Sequence, residues 1–289
     1  MTSREQWIAG ARPKTLPAAI APVIVGTAFA GYNAQLTNFL LALIVGVSLQ
    51  VGVNYANDYS DGIKGTDNDR IGPMRLVGSG AASPESVKRA AYLSFLLAAG
   101  AGLILSARTN WLLILIGALA IIAAWTYTGG RKPYGYFALG EVAVFIFFGL
   151  VATIGTYYVQ INSISLEVFL AAIAMGSLAS ALLVVNNLRD LAKDAAAGKI
   201  TLAVRLGDKQ SRNLYRALLL IPLLIAALLL PASPYFLLAA AVAPLIRTSI
   251  KAVSSGASGG ALIELLAKTG RIQMIYGLAL SLASLIAAR

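Results

Sequence analysis

The 289-residue sequence predicts an all-α integral membrane protein, a bundle of nine transmembrane helices around a central cavity. Three observations predict it. Hydrophobic residues make up 58% of the chain and charged ones only 12%, with a mean hydropathy of +0.77, far from the balance of a water-soluble domain. Apolar runs of spanning length recur along the whole chain. With nine spans and the N-terminus inside, 21 of the 23 Lys and Arg residues fall on inner segments and the helix ends adjoining them, which is the bias expected of a cytoplasmic face. Only Arg108 and Arg289 fall outside, and a wrong span count would scramble this asymmetry.

The elements follow in order. Residues 1–15 carry Arg4, Glu5, Arg12, Pro13 and Lys14, which argues against a cleavable signal and for an interfacial lead-in on the cytoplasmic side. The spans are expected at roughly 17–32, 38–57, 89–107, 111–128, 139–157, 166–188, 213–230, 235–252 and 272–288. Together they form one polytopic domain over 1–289. Outer connections are short and nearly uncharged, whereas the inner ones after the second and sixth spans are long and polar. The charge of +11 is spread over these loops rather than gathered on one soluble face, so nucleic acid is not an expected partner; the lipid bilayer is.

There is no Cys and no His in the chain. That excludes thiolate nucleophiles, imidazole triads and metal sites built on Cys or His, and leaves carboxylates, amides, Lys, Arg and Tyr to carry any chemistry. Six of the seven aspartates lie in or just after two segments, 54–67 and 186–194. In the first, Gln50, Asn54, Asp58 and Asp61 stand at i, i+4, i+8 and i+11, with Asn57 beside them. In the second, Asn186, Asp190 and Asp194 stand at i, i+4 and i+8, and superposing Asn54 on Asn186 also superposes Asp58 on Asp190. Each helix is thus expected to present a column of oxygen ligands at its cytoplasmic end, starting inside the apolar run, where polar groups are costly and mark function. Oxygen ligands without His or Cys select hard cations, with Mg²⁺ preferred where phosphate shares the site.

Cations share these loops: Lys64, Arg70 and Arg75 after the first column, Arg131 and Lys132 after the fourth span, and Arg189, Lys193, Lys199 and Arg205 after the second column. They supply donors for phosphate oxygens. Two acidic columns with cations nearby suit a diphosphate bridged by metal ions.

These motifs resemble the UbiA superfamily of intramembrane aromatic prenyltransferases. Asn57-Asp58-Tyr59-Ser60-Asp61 is similar to its first aspartate signature and Asp190-x-x-x-Asp194 to its second, and the resemblance spans essentially the whole chain. Residues 11–17, 57–67, 127–135, 186–190 and 198–202 are most similar to the branch acting on 1,4-dihydroxy-2-naphthoate in menaquinone synthesis. Gly65 stands where many relatives place a third Asp, and Asp67 follows two residues later.

The resemblance implies that Asp58, Asp61, Asp190 and Asp194, with Asp67, hold Mg²⁺ and are catalytic. It also implies that Asn54, Asn57, Lys64, Arg70, Arg131, Lys132, Tyr134, Asn186, Lys199, Arg12 and Lys14 bind a polyprenyl diphosphate and the naphthoate acceptor. Ionisation of the allylic carbon–oxygen bond is then the hard step, and Tyr55, Tyr59, Trp125, Tyr127 or Tyr134 can shield the allyl cation. The implied setting is the cell membrane, with the site opening to the cytoplasm. A 4-hydroxybenzoate acceptor is the enzyme alternative, and a CDP-alcohol phosphotransferase or a cation-coupled transporter are the alternatives from other classes.

Overall fold

The computed structural model describes residues 2–65 and 74–288. Helix α1 (Arg4–Ala11) opens on a reciprocal cap, with Ser3 Oγ accepting from the Gln6 backbone N–H while the Gln6 side chain accepts from the Ser3 N–H. Arg12 then adopts a left-handed conformation, φ 54°, and a short 3₁₀ turn (Pro13–Thr15) leads into α2 (Pro17–Phe29). The long helix α3 (Leu36–Ile63) is followed by α4 (Pro84–Arg108), capped by Ser83, and by α5 (Leu113–Thr126).

Helix α6 (Gly140–Val144) runs through a π-helical stretch at Phe145–Val151 into α7 (Ala152–Ile161). Helices α8 (Leu166–Ala196) and α9 (Leu202–Leu229) start on Ser165 and Thr201 caps. A 3₁₀ segment (Pro234–Val242) passes into α10 (Ala243–Ser254), and α11 (Gly260–Ala287) completes the bundle. No strand occurs among the described residues; one isolated bridge joins Phe137 to Ile200.

Seven segments are long and apolar enough to cross a membrane: α3, α4, the α6–α7 unit, α8, α9, the unit ending in α10, and α11. Two shorter apolar helices, α2 and α5, lie where the first and fourth spans were expected. Leu93, Leu96, Leu97, Leu115, Leu224 and Leu282 are exposed on helix surfaces, which an apolar solvent accommodates and water does not. The protein is an integral membrane protein.

Helix α8 is the hub. It packs on α9, α11, α2 and the π-helical stretch, and its run from Ala171 to Val185 is almost wholly buried. Helices α3 and α4 form the opposite wall. Two helices approach closely at Gly149, where an added Cβ would lie 2.4 Å from the Cα of Gly176. In lipid, where apolar burial drives no helix association, such backbone proximity is what packing selects. Replacing Gly149 with Val is therefore expected to destabilise the bundle by about 1–3 kcal/mol. Gly100→Ala, where an added Cβ meets nothing within 4 Å, is the control. Thermal midpoints of the two purified variants check this.

At the end remote from the α3 C-terminus, polar side chains cross-link three helices. Arg108 Nε donates to Asn38 Oδ1 at 3.0 Å, and Asn38 Nδ2 donates to the Val159 carbonyl at 2.7 Å. The Gln35 N–H donates to Gln160 Oε1 at 2.7 Å. The one basic residue assigned to an internal outer loop is thus a structural clamp.

Candidate active site

The C-terminal ends of α3 and α8, the lead-in from α1 to α2 and the loops around residues 128–136 and 193–199 enclose a cavity of about 690 Å³. Its deeper wall is apolar, formed in part by Val23, Val45, Leu105, Ile116, Phe147 and Phe148, the two phenylalanines being supplied by the π-helical stretch. Its polar mouth is lined by Asp61, Asp190 and Asp194 and by Arg12, Lys14, Arg75, Arg189, Lys193 and Lys199. Six cations against three carboxylates leave an excess of positive charge, which suits an anionic ligand.

The two halves of the chain meet at Lys199. Its ammonium lies 3.5 Å from Asp61 Oδ2 and 3.8 Å from Asp194 Oδ1, so one cation reaches carboxylates of both motifs. Tyr136 donates to the other oxygen of Asp61 at 2.9 Å. Asp190 receives a bidentate grip from Arg189, at 2.8 Å from Nε and 2.7 Å from Nη2, and Arg189 also donates to Asn186 Oδ1 at 2.9 Å. Among the described residues no three carboxylates cluster closely enough to form a metal cage alone. The donor set nevertheless fits a hard cation shared with phosphate oxygens, because it consists of carboxylate and amide oxygens from two facing helices.

The α3 stripe differs from the expectation at one position. The polar lining residues of α3 are Gln50, Asn54, Asn57 and Asp61, at i, i+4, i+7 and i+11, and those of α8 are Asn186, Asn187, Arg189, Asp190, Lys193 and Asp194. Helix α8 lines the cavity in two adjacent registers, so Asn54 can be matched with Asn186 or with Asn187. Asp58 falls off this stripe. It is fully buried, and its two oxygens accept the Leu76 N–H at 2.8 Å and the Val77 N–H at 3.0 Å, which anchors the loop before α4. Sequence spacing allowed both i+7 and i+8 positions to share one face, and the loop's demand for an acceptor separates them.

Other candidates divide in the same way. Asn54 Nδ2 donates to the Ala11 carbonyl at 2.9 Å and to Thr15 Oγ1 at 3.1 Å, and Arg12 Nη2 reaches the Asn54 carbonyl at 3.4 Å, so α3 holds the lead-in over the mouth. Asn57 accepts from Thr128 Oγ1 at 2.7 Å.

Lys64 lies outside the lining, donating to the Thr128 carbonyl at 2.8 Å with its ammonium over the Tyr136 ring. Burial lowers its pKa, a shift that Asp61 opposes and Lys199 reinforces. Arg131 and Lys132 do not reach the cavity; with Arg205 they line a separate surface pocket. Asp67 and Arg70 lie outside the described residues.

Of the aromatic candidates, Tyr127 and Tyr134 line the cavity, packed edge to face at 5.5 Å. Burial pushes the Tyr134 phenol up to about 12, so it remains a hydrogen-bond donor at neutral pH. Tyr55, Tyr59 and Trp125 are packing residues instead: Tyr55 donates to the Trp7 carbonyl at 2.9 Å, and Tyr59 stacks on Trp125. Sequence reasoning did not select Asn187 or Tyr136 as site residues. The heptad-like spacing of Asn187 to Asp194, matching Asn54 to Asp61, is the signal that identifies the first; Tyr136 carries none.

The UbiA prenyltransferase family matches residues 19–253. The chain is 50% identical over 283 residues to 1,4-dihydroxy-2-naphthoate octaprenyltransferase of Mycobacterium tuberculosis, covering 97% of each chain. It is 43% identical over 236 residues to the protein of the same name from Escherichia coli K12, covering 78% of this chain and 77% of that one. Among solved structures, a UbiA homolog from Aeropyrum pernix superposes with a TM-score of 0.73 at 17% identity, over 93% of this chain and 97% of that one. A UbiA homolog from Archaeoglobus fulgidus bound to DMAPP and Mg²⁺ superposes at 0.65 and 16%, over 95% and 98%. The fold is therefore shared at distances where sequence similarity is faint, and with the match over most of its length the chain belongs to the UbiA prenyltransferase family.

Proposed function

We propose that the protein transfers a polyprenyl group from a polyprenyl diphosphate to 1,4-dihydroxy-2-naphthoate, releasing diphosphate and CO₂ and giving demethylmenaquinol, the reduced form of demethylmenaquinone. One observation carries the chemistry: Lys199 reaches both Asp61 and Asp194, so the two motifs converge on one small charged volume above an apolar cavity. The identity of the acceptor is supported by relatives of 43–50% identity that bear the naphthoate prenyltransferase name.

Asp61, Asp190 and Asp194, with Asn57, would hold Mg²⁺, which when bound offsets the charge developing on the departing diphosphate. Lys193, Lys199 and Arg75 donate to diphosphate oxygens at the mouth. The prenyl tail lies along the apolar wall, with Phe147 and Phe148 beside it, and the wall excludes water that would otherwise capture the allyl cation. Tyr127 and Tyr134 present π-faces and a neutral phenol to the reacting centre. The electron-rich ring attacks as the allylic carbon–oxygen bond breaks, and loss of CO₂ restores the aromatic ring.

Nine membrane crossings, with α2 and α5 as the short first and fourth, a cytoplasmic N-terminus and a site opening to the cytoplasm of the cell membrane complete this reading. It is supported by the segregation of Lys and Arg described above.

The acceptor carboxylate is assigned to Arg12, because Arg12 lines the mouth and Arg131 does not. A guanidinium grips a carboxylate through a planar pair of donors that an ammonium cannot reproduce. Steady-state kinetics should show that Arg12→Lys raises the acceptor KM by about tenfold with less effect on the donor KM, while Arg131→Lys changes neither. Equal effects in the two variants, or a preference for 4-hydroxybenzoate over the naphthoate, would overturn the assignment.

A further inference from the structure

Glu141 is a buried acid for which the proposed chemistry has no use. It stands in the first turn of α6, is only 6% exposed, and does not line the cavity. Its Oε1 accepts from Asn187 Nδ2 at 2.9 Å, and its Oε2 is buried with no hydrogen-bond partner among the described residues. A carboxylate removed from water this way is expensive to keep, so a replaceable packing role is a poor account of it.

Its effect on Asn187 is specific. An amide side chain has a donating and an accepting end of nearly equal shape, and which end faces a ligand is decided by the neighbours. A carboxylate only accepts. Glu141 therefore takes the amine end of Asn187, and the Asn187 amide oxygen is left on the side of the cavity, which Asn187 lines. No protein donor reaches that oxygen among the described residues. Asn187, Asp190 and Asp194 occupy successive positions i, i+3 and i+7 of one helix face, so the freed oxygen adjoins the carboxylates of the second motif. Asn54, its counterpart on α3, is likewise held by its amine, through the Ala11 carbonyl.

We propose that Glu141 is a positioning residue: it holds the Asn187 amine so that the Asn187 amide oxygen faces the cavity as an additional ligand for the divalent cation. This rests on the two-motif cation site described above. An outer group that fixes a ligand's orientation commonly governs metal affinity by one to two orders of magnitude.

The test is Mn²⁺ binding, read by electron paramagnetic resonance of the unbound ion, to the purified full-length protein with inorganic diphosphate and no prenyl donor. Glu141→Leu and Asn187→Leu are each expected to weaken binding about tenfold, and the double variant to be no weaker than Asn187→Leu alone. Glu141→Gln still offers Asn187 an accepting oxygen and should bind within about threefold of the unmodified protein. The exchange variant Glu141→Gln/Asn187→Asp reverses the hydrogen bond while leaving an oxygen toward the cavity, and should bind at least as tightly as the unmodified protein.

A Glu141→Gln variant as weak as Glu141→Leu would show that charge rather than orientation matters. Additive losses in the double variant, or an exchange variant about tenfold weaker, would equally overturn the proposal. If Glu141→Leu fails to fold, Glu141→Gln and the exchange variant still decide. Asp194→Asn serves as the reference: no loss of Mn²⁺ there would defeat the two-motif site itself, whereas loss there with normal binding in Asn187→Leu would defeat only the role of Glu141.

Discussion

Asp61→Ala, Asp190→Ala and Asp194→Ala each lower turnover by at least about a hundredfold, because stabilising a departing anionic group is worth several kcal/mol and each variant removes part of that stabilisation. Their thermal midpoints should move less than that of Asp58→Ala, since all three carboxylates line the cavity rather than its packed wall. Asp58→Ala is the informative contrast. It removes the acceptor of two backbone N–H groups, at Leu76 and Val77, so it should lower the thermal midpoint, with a cost of about 1–3 kcal/mol for each donor left unsatisfied. Any loss of turnover in Asp58→Ala should then scale with the displaced loop. Turnover assays paired with thermal melts on all four variants separate the two behaviours. Near-normal turnover in two of the three cavity-facing variants would remove the metal and diphosphate mechanism.

The second large effect is the metal requirement. Excess EDTA should abolish turnover by about two orders of magnitude or more, and Mg²⁺ or Mn²⁺ should restore it, with Ca²⁺ a poor substitute. The donors are carboxylate and amide oxygens on two helices whose spacing is set by packing, and a small octahedral ion tolerates such a shared, partly phosphate-filled shell better than a larger ion of higher coordination number. Lys199 sits where a bound cation would compete with it, between Asp61 and Asp194. Pyrophosphate release measured across a metal titration gives the result directly. Full turnover in EDTA would contradict the scheme.

The fold class was legible because hydropathy is a bulk property: long apolar runs and segregated cations need no knowledge of contacts. The apolar runs put the second and sixth spans at 38–57 and 166–188, with helical columns expected to run on through Asp61 and Asp194, and the structure carries helix through Ile63 and Ala196. The presence of two acidic helix ends was equally legible. Which residues face inward was not, because positions seven and eight residues apart straddle the same stripe on a helix, and only the neighbours decide between Asn57 and Asp58. Arg131 and Lys132 were misplaced for a related reason. The loop carrying them turns on Tyr134–Tyr136 and is pinned by the Ala138 N–H to the Ile200 carbonyl at 3.0 Å, which sends Tyr136 toward Asp61 and leaves the two cations on the far side. A long-range pairing of this kind leaves no trace in local sequence.

The placement of charge around the cavity has an energetic corollary for the membrane as a whole. Every ionised residue lining it stands at the end where α3 and α8 terminate, and at the opposite end Arg108, Asn38 and the Val159 carbonyl bridge three helices. On the proposed reading, a charged donor that enters at the ionised end releases its diphosphate there, so a turnover needs no net charge to cross the low-dielectric layer, and the electrical potential across the bilayer would perform no work on it.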